Sequence, residues 1–262
     1  MPLKIITEVL DLIKNKVSDL DKITLRNVII GAGYTAVELS TGHIGLCYSF
    51  QRENPFLHSK LNDMAGTLSG SYTHDMLEMA KSWNLGESIL GVATINALSQ
   101  LIFDRFQEYK ILKGNVMDHL NIKNSDRIVF IGNIKPLVER VENKVAEIIV
   151  LERDPQKKSK HCLPDTLAEE VVPDADITII TGTSFVNGTL DRLIALSKGS
   201  KERVLVGATA SFVPDPVFQR GITLIGGMKT LNSTYLIRIV SEGGGTKQLK
   251  RASEFYCIRN QS

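Results

Sequence analysis

The sequence is poor in cysteine and tryptophan and contains no long block of like charges. Its 262 residues include three cysteines and one tryptophan. Cys47, Cys162 and Cys257 lie far apart and form no Cys-x-x-Cys pair, which argues against a disulfide framework and a structural zinc site. The net charge is only +2, and the basic residues are scattered apart from a group at 157–160 that we interpret as a solvated loop. Nucleic acid is therefore disfavoured as a partner.

Several motifs of common enzymes and membrane proteins are also missing. The sequence has no Gly-x-Ser-x-Gly elbow, no His-Glu-x-x-His motif and no Walker loop. No uninterrupted apolar run approaches the roughly 18 residues that cross a membrane. Charges interrupt the apolar residues between Met1 and Leu20, which is typical of an amphipathic helix and not of a signal peptide. We therefore expect a soluble, cytoplasmic protein without a membrane partner.

The first half of the chain has the pattern of a small α+β unit. Strand-like segments between Ile23 and Phe50 are separated by glycine-bearing turns, which predicts an antiparallel meander. Helical patterns follow from Met76 to Trp83 and from Glu87 to Tyr109. A polar stretch at 121–125 then separates two different patterns. We predict a first domain over residues 1–123 and a second over 124–262.

The second half alternates between short runs of β-branched residues and helical patterns. Near-continuous Val and Ile runs separated by helices predict a mainly parallel sheet that is covered on both faces. The predicted fold class is therefore α/β, with at least five strands in this sheet. The strands are predicted at 127–132, 146–152, 176–181, 203–207 and 222–226, and the helices at 134–141, 187–197 and 216–220.

Small or polar residues follow the predicted parallel strands, where open α/β sheets bind their ligands. Glu152 lies twenty residues after Gly132, an offset at which dinucleotide-binding folds place an acid on the ribose hydroxyls. Alternatively, Glu152 simply ends a strand beside Arg153. No Gly-x-Gly-x-x-Gly loop follows the first of these strands, which disfavours NAD and FAD. The residues at the strand ends are Gly132, Glu152, Thr181, Gly182, Gly207 and Gly226.

Neutral polar groups near these strand ends have two interpretations. Asn187 and Thr189 belong at a helix start for backbone reasons, and they can also offer donors and acceptors to a ligand. Asn96 lies in the middle of an apolar helical segment, where a buried amide must find partners in the protein or in a ligand. We include all three residues among those predicted to line the site.

A metal site is a further hypothesis. His43 and Cys47 are four residues apart on a predicted strand, so their side chains point to one face. With Glu38 or Glu152 as a third ligand, His43 could bind a divalent transition metal. The alternative interpretation is a hairpin histidine beside a small buried thiol.

Four segments of the chain carry a resemblance to a known family. They are 31–39, 91–97, 152–155 with the sequence Glu-Arg-Asp-Pro, and 181–191 with the sequence Thr-Gly-Thr-Ser-Phe-Val-Asn-Gly-Thr-Leu-Asp. They resemble the putative heavy-metal chelation domain family, and the resemblance covers nearly the whole chain. It implies a domain similar to the N-terminal domain of enolase followed by a Rossmann-like domain, with heavy metals or a related small ligand bound in the cleft between the two.

These observations predict a protein that binds a small polar ligand, with or without a metal ion, in an inter-domain cleft. Two alternatives remain open. One is an enzyme that uses a nucleotide-like cofactor such as S-adenosylmethionine, and the other is a regulatory or assembly protein without catalysis. The sequence leaves the oligomeric state open, a homo-oligomer included. The residues predicted to line the cleft are Gly132, Glu152, Thr181, Gly182, Asn187, Thr189 and Asn96.

Overall fold

The computed structural model describes residues 4–53, 56, 59–157 and 159–261. Its elements combine a small antiparallel sheet with a large, mostly parallel one. The helices are α1 Lys4–Lys16, α2 Lys60–Asp63, α3 Thr73–Glu78, α4 Leu85–Phe106, α5 Lys135–Val141, α6 Ala168–Val171, α7 Thr183–Val186, α8 Leu190–Leu196, α9 Asp215–Phe218, α10 Ser233–Ser241 and α11 Thr246–Leu249. The strands are β1 Leu25–Ile30, β2 Tyr34–Leu39, β3 Ile44–Tyr48, β4 Ile111–Lys113, β5 Arg127–Ile131, β6 Glu147–Leu151, β7 Cys162–Leu163, β8 Ile177–Thr181, β9 Glu202–Val206, β10 Leu224–Thr230 and β11 Ser253–Arg259.

The small sheet is the antiparallel meander that the sequence predicts. Its order is β1-β2-β3, and the register of the second hairpin places Tyr34 opposite Tyr48. The amphipathic helix α1 buries its apolar stripe, which includes Ile5, Val9 and Ile13. The first three residues of the predicted Met1–Leu20 helix lie outside the described residues. Antiparallel pairing thus brings the two ends of the β2–β3 hairpin together.

The large sheet has the order β4-β11-β10-β9-β8-β5-β6-β7. Strands β5 to β10 pair in parallel, which confirms the predicted parallel sheet. The chain builds outward from β5 through β6 to β7, and it then returns to β8 on the other side of β5. This is the doubly wound order in which ligands bind where the winding reverses, between β5 and β8.

The sequence patterns do not predict three strands of the large sheet, β4, β7 and β11, or helix α10. Strand β11 runs antiparallel to both β10 and β4 and closes one side of the sheet. Strand β4 precedes residue 124, where the second domain is predicted to begin, and it nevertheless hydrogen-bonds to β11. Helix α10, which begins after the Asn232 cap, was not assigned at all. The division at 123/124 stays a prediction.

Helix α4 is the centre of the core. Its length and composition alone would allow it to cross a membrane, but 89% of its most apolar window is buried within the protein. It packs on β2 and β3 of the small sheet and on α1, and one cluster of buried apolar side chains continues from it to residues of the large sheet, such as Ile180 and Leu205. The helix is therefore the core helix of a globular structure that joins both sheets.

Candidate functional site

A cavity of about 620 Å³ lies over the carboxyl ends of the parallel strands. Its floor contains Gly132 after β5, Glu152 after β6 and Thr181 at the end of β8. These positions surround the point where the winding of the sheet reverses. Gly132 has φ +95°, and a Cβ atom there would lie 2.9 Å from the Thr181 methyl group, so the turn after β5 requires glycine. The cavity therefore occupies the place where the fold class predicts a ligand.

The small sheet forms the opposite wall. Tyr34, Tyr48 and Phe50 line the cavity, and their rings make successive edge-to-face contacts with centroids 5.9 and 5.3 Å apart. The Tyr34 hydroxyl is 2.8 Å from the Thr246 hydroxyl, which joins this wall to helix α11. Burial raises the pKa of Tyr34, so its phenol remains protonated at neutral pH. The cavity is thus a cleft between the small sheet and the large one.

Glu152 holds two loops in place. Its Oε2 accepts the main-chain N–H of Asn133, and its Oε1 accepts that of Asp154, both at 2.8 Å. The carboxylate thereby fixes the turn after β5 against the end of β6. Each oxygen keeps a further lone pair, so Glu152 can still accept a hydrogen bond from a ligand that enters the cleft.

The segment after β8 is organised by its own hydroxyl and amide groups. The Thr183 hydroxyl donates to Thr181 Oγ1 over 3.1 Å, and the Ser184 hydroxyl donates to the Thr181 carbonyl over 2.7 Å. Asn187 Oδ1 accepts both the N–H and the hydroxyl of Thr189. The amide oxygen of Asn187 is thus used within the turn, and its NH₂ group has no acceptor among the described residues.

Six of the seven residues predicted to line the cleft do line this cavity: Gly132, Glu152, Thr181, Gly182, Asn187 and Thr189. Asn96 does not, and its predicted contact with a ligand is corrected. It is fully buried, and its amide donates to main-chain carbonyls instead, at 2.7 Å to Leu46 and 3.1 Å to Thr209. Asn96 therefore fastens β3 to the loop after β9.

His43, the predicted metal ligand, also lies outside the cavity lining. Its Nδ1 is 2.9 Å from the Thr41 hydroxyl, and its Nε2 is 3.4 Å from Asp104. Burial lowers the pKa of His43, although Asp104 opposes this shift. Within the described part of the chain, no group of three or more His, Cys, Asp or Glu side chains could hold a metal ion. The donor set therefore does not fit a metal centre made by protein side chains alone.

The sequence analysis missed the charged residues at the mouth of the cleft. Arg52, after β3, forms an ion pair of 2.8 Å with Asp154, after β6. Arg153 similarly reaches Glu53 at 3.2 Å. The Gln156 N–H, and after it the Arg52 guanidinium, hold the pKa of Asp154 below its usual value. These pairs connect the small sheet to the loop that carries Glu152.

One signal could have identified the aromatic wall. The turn at Ser40–Gly42 sets the register of the β2–β3 hairpin and places Tyr34 opposite Tyr48. Paired aromatic side chains at the open end of a hairpin are candidates for a ligand wall. Lys157, which also lines the cavity, had no comparable signal, because its neighbours in the sequence are typical of a solvated loop.

The three cysteines differ in how accessible their thiols are. This matters for soft metal ions, because these prefer thiolate ligands. Cys47 and Cys257 are buried, and burial raises the pKa of both thiols, that of Cys257 to about 12. Cys162 is half-buried. We expect iodoacetamide at pH 7.5 to add one label to the folded protein, at Cys162, and three labels in denaturant, as measured by intact mass and peptide mapping. Labelling of Cys47 or Cys257 in the folded protein would contradict the structure.

Comparison with known proteins identifies the family. Two family models described as putative heavy-metal chelation match the chain, DUF4213 over residues 13–99 and DUF364 over residues 115–259. An uncharacterized protein of Methanocaldococcus jannaschii is 31% identical over 185 residues, which are 70% of this chain and 70% of that protein.

Solved structures agree with this match. A protein of unknown function from the DUF364 family of Pyrococcus horikoshii is 26% identical, with a TM-score of 0.81 over 96% of this chain and 99% of that one. A DUF364 protein of Desulfitobacterium hafniense, 19% identical, shares the fold with a TM-score of 0.78 over 97% and 98% of the two chains. The chain, with its small antiparallel sheet and its doubly wound sheet, belongs to the putative heavy-metal chelation family.

Proposed function

We propose that this protein binds a small polar ligand, in the cytoplasm, in the cleft between the small sheet and the large sheet. The observation that carries the proposal is the cavity of about 620 Å³ at the reversal of the sheet. Its volume suits a small organic molecule. Hydroxyl, amide and carboxylate groups line its floor, and three aromatic rings form its wall.

The family description suggests metal chelation. In this proposal the metal ion is a cargo that the protein transports or stores together with the ligand. The described side chains offer no group of three ligands, so the ligand itself would supply most of the donors to the metal. Glu152 and the hydroxyl groups after β8 would then bind the ligand. No step of the proposal requires a metal ion that is held by the protein alone.

A second candidate function is supported by the strand order. The doubly wound sheet carries Glu152 at the end of the strand next to β5, where related folds bind a ribose. An enzyme that uses S-adenosylmethionine or another nucleoside cofactor would place its ribose there. The absence of a glycine-rich loop in the sequence after β5 makes a dinucleotide a poorer fit. A regulatory or assembly protein without catalysis is the third candidate. None of these three candidate functions involves nucleic acid or a membrane as a partner.

The experiment combines detection of a ligand with a variant of the site. Native mass spectrometry and elemental analysis of the purified protein would detect a co-purifying molecule or metal. A thermal-shift screen would compare ribose, adenosine, S-adenosylmethionine and divalent heavy-metal ions. A compound present at a hundred times its dissociation constant adds about 2.7 kcal/mol to the free energy of unfolding. If no molecule co-purifies and no compound shifts the melting temperature, the proposal is wrong.

For a compound that binds, Glu152→Gln is expected to weaken binding by about 1.5–3 kcal/mol, because a charged hydrogen bond is lost. Each carboxylate oxygen of Glu152 accepts one main-chain N–H group. The same substitution replaces one of these two oxygens by an NH₂ group, which cannot accept that hydrogen bond. We therefore also expect it to lower the free energy of unfolding by about 1–3 kcal/mol. Calorimetry at a temperature well below the melting temperatures of both wild type and Glu152→Gln separates the loss of affinity from the loss of stability. Glu170→Gln, at an exposed position of α6, is the matched control, and an affinity equal to wild type in Glu152→Gln would remove Glu152 from the site.

A further inference from the structure

Lys157 places at the mouth of the cleft a positive charge that forms no direct ion pair with any described residue. Its side chain lines the cavity, and its Nζ lies 5.0 Å from the centroid of the Tyr48 ring. Among the described residues no carboxylate lies within 4 Å of this nitrogen, although Glu152 and Asp165 line the same cavity. The ammonium group is thus held over an aromatic ring, and it interacts with Asp154, which already pairs with Arg52, only through a longer-range electrostatic attraction.

Three of the four other cations that line the cavity differ from Lys157 in this respect, whereas the fourth, Lys250, has no carboxylate within 4 Å among the described residues and lies 5.0 Å from the centroid of the Phe255 ring. Arg52 pairs with Asp154, and Arg153 pairs with Glu53. Lys135 has a carboxylate 3.7 Å away, one turn further along α5. Glu152, the acid at the centre of the floor, already accepts two main-chain N–H groups. The arrangement therefore leaves the charge of Lys157 available to a molecule in the cleft.

Several hydrogen-bond donors at this corner of the cleft have no acceptor among the described residues. Lys157 Nζ donates to the Tyr48 hydroxyl oxygen over 3.3 Å. An ammonium group cannot accept a hydrogen bond, so the phenol hydrogen of Tyr48 must point to another acceptor. No described residue supplies one. The two further N–H groups of Lys157 also have no acceptor among the described residues, so this corner of the cleft offers several donors to solvent or to a ligand.

The main chain of Lys157 is fixed, which favours a binding role over a freely moving surface lysine. Asn133 Nδ2 donates to the Lys157 carbonyl over 2.5 Å, and the Lys157 N–H donates to the Asp154 carbonyl over 3.0 Å. Both contacts connect this residue to the turns that Glu152 organises. A ligand group bound here would lose little free energy to ordering of the loop.

We propose that the ligand of the cleft carries an anionic group, a carboxylate or a phosphate, that binds the Lys157 ammonium and the Tyr48 hydroxyl. This inference rests on the proposed function, because it assigns a chemical class to the ligand of the same cavity. The aromatic wall next to this corner can pack against a flat, apolar body attached to that group. The anion supplies the acceptors that the donors of Lys157 and Tyr48 lack.

Simple probes test the inference without knowledge of the natural ligand. Isothermal titration calorimetry at low ionic strength would compare benzoate, phenyl phosphate and inorganic phosphate with neutral benzyl alcohol. We expect an aromatic anion to bind at least about tenfold more tightly than benzyl alcohol, since a hydrogen bond to a charged group is gained. The two aromatic anions distinguish carboxylate from phosphate, and inorganic phosphate tests the charge without the ring.

Variants then locate the bound anion. Lys157→Met keeps an apolar stem over the Tyr48 ring and removes the charge, and it should weaken anion binding at least about tenfold. Tyr48→Phe removes only the hydroxyl and should weaken it about threefold to tenfold. Lys198→Met, at an exposed position far along the sequence, is the control and should bind as wild type does. Because Lys157 is exposed, its variant should keep the melting temperature of the wild type.

The outcomes separate this inference from the proposed function. Equal anion binding by Lys157→Met and wild type, or no binding of any anion by wild type at millimolar concentration, overturns the inference. If neutral sugars or nucleosides bind and Glu152→Gln weakens them while anions do not bind, the cleft is a ligand site of a different class. If neither anions nor neutral compounds bind, the proposed function fails as well.

Discussion

Replacing Gly45 with alanine is expected to destabilise the protein by about 3 kcal/mol or more. Gly45 lies in β3 where this strand crosses helix α4. A Cβ atom there would lie 2.8 Å from the Asn96 carbonyl carbon, and it would be closer still to the main-chain oxygen of Ala93 and the nitrogen of Ala97. Main-chain atoms of a buried helix cannot turn aside as a flexible side chain does. Strand and helix must therefore separate, and the packing between them is lost.

Urea denaturation followed by circular dichroism would measure this effect. Gly245→Ala is the matched control, because the nearest atom to its added Cβ would be 3.8 Å away at the end of the Gln248 side chain. We expect the control to stay within about 0.5 kcal/mol of wild type. A Gly45→Ala protein as stable as the control would show that β3 does not approach α4 as closely as described. The same variant should also bind cleft ligands less well, since β3 carries Tyr48.

The parallel sheet could be predicted because its central strands, β5 and β8, are buried on both faces. Runs such as Arg127–Ile131 and Ile177–Thr181 contain little but Val, Ile, Phe and Thr, and a helical pattern follows each one. The carboxyl ends of parallel strands meet at one edge. From that rule alone, Gly132, Glu152 and Thr181 are predicted to lie close together, and all three line the cavity.

The antiparallel strands of the large sheet could not be predicted on the same basis. Strand β10 continues to Thr230 through two consecutive glycines, which in the sequence indicate a strand end. The ring of Tyr256, on β11, occupies the space beside Gly227. That packing depends on a partner strand that lies more than twenty residues further along the chain. Local patterns carry no information about such a pairing.

The partners of polar side chains were the least predictable part of the site. Glu152 was expected to face a ligand, and it also accepts main-chain N–H groups from two separate turns. Asn96 was expected to contact a ligand because it interrupts an apolar helix, but its partners come from β3 and from the loop after β9. The NH₂ group of a buried amide needs acceptors, and only the three-dimensional arrangement decides which they are; the Oδ1 of Asn96 has no hydrogen-bond partner among the described residues.

Asn96 and Gly45 act together at the junction of the two sheets. The absence of a side chain at Gly45 lets β3 approach α4, and this approach brings the Leu46 carbonyl within 2.7 Å of Asn96 Nδ2. The same amide reaches the Thr209 carbonyl, while the Thr209 hydroxyl accepts the Tyr48 N–H over 3.0 Å. Tyr48 and Thr209 both line the cavity. The shape of the cleft therefore depends on a buried contact between residues that do not themselves line the cavity.

Replacing Asn96 with aspartate should have an even larger effect, a loss of about 3–5 kcal/mol at neutral pH. The two side chains have nearly the same shape, so packing is preserved. An ionised carboxylate, however, cannot donate to the carbonyls of Leu46 and Thr209, and it would be fully buried beside them. Desolvation and these carbonyls raise the pKa of the introduced carboxyl above its value in the unfolded chain. The variant should therefore regain part of its stability as the pH falls and the group becomes protonated.

The measurement is urea denaturation of wild type and Asn96→Asp at pH 7.5 and pH 5, with Asn124→Asp, at an exposed position, as the control. We expect the difference between wild type and Asn96→Asp to shrink at the lower pH, and the control to match wild type at both. Should Asn96→Asp fail to fold, Asn96→Ala removes the amide without burying a charge, and it should cost about 1–3 kcal/mol. A stable Asn96→Asp protein with no dependence on pH would mean that this amide does not join the two sheets. Because the contact also positions Tyr48 and Thr209, any loss of stability should be accompanied by weaker binding in the cleft.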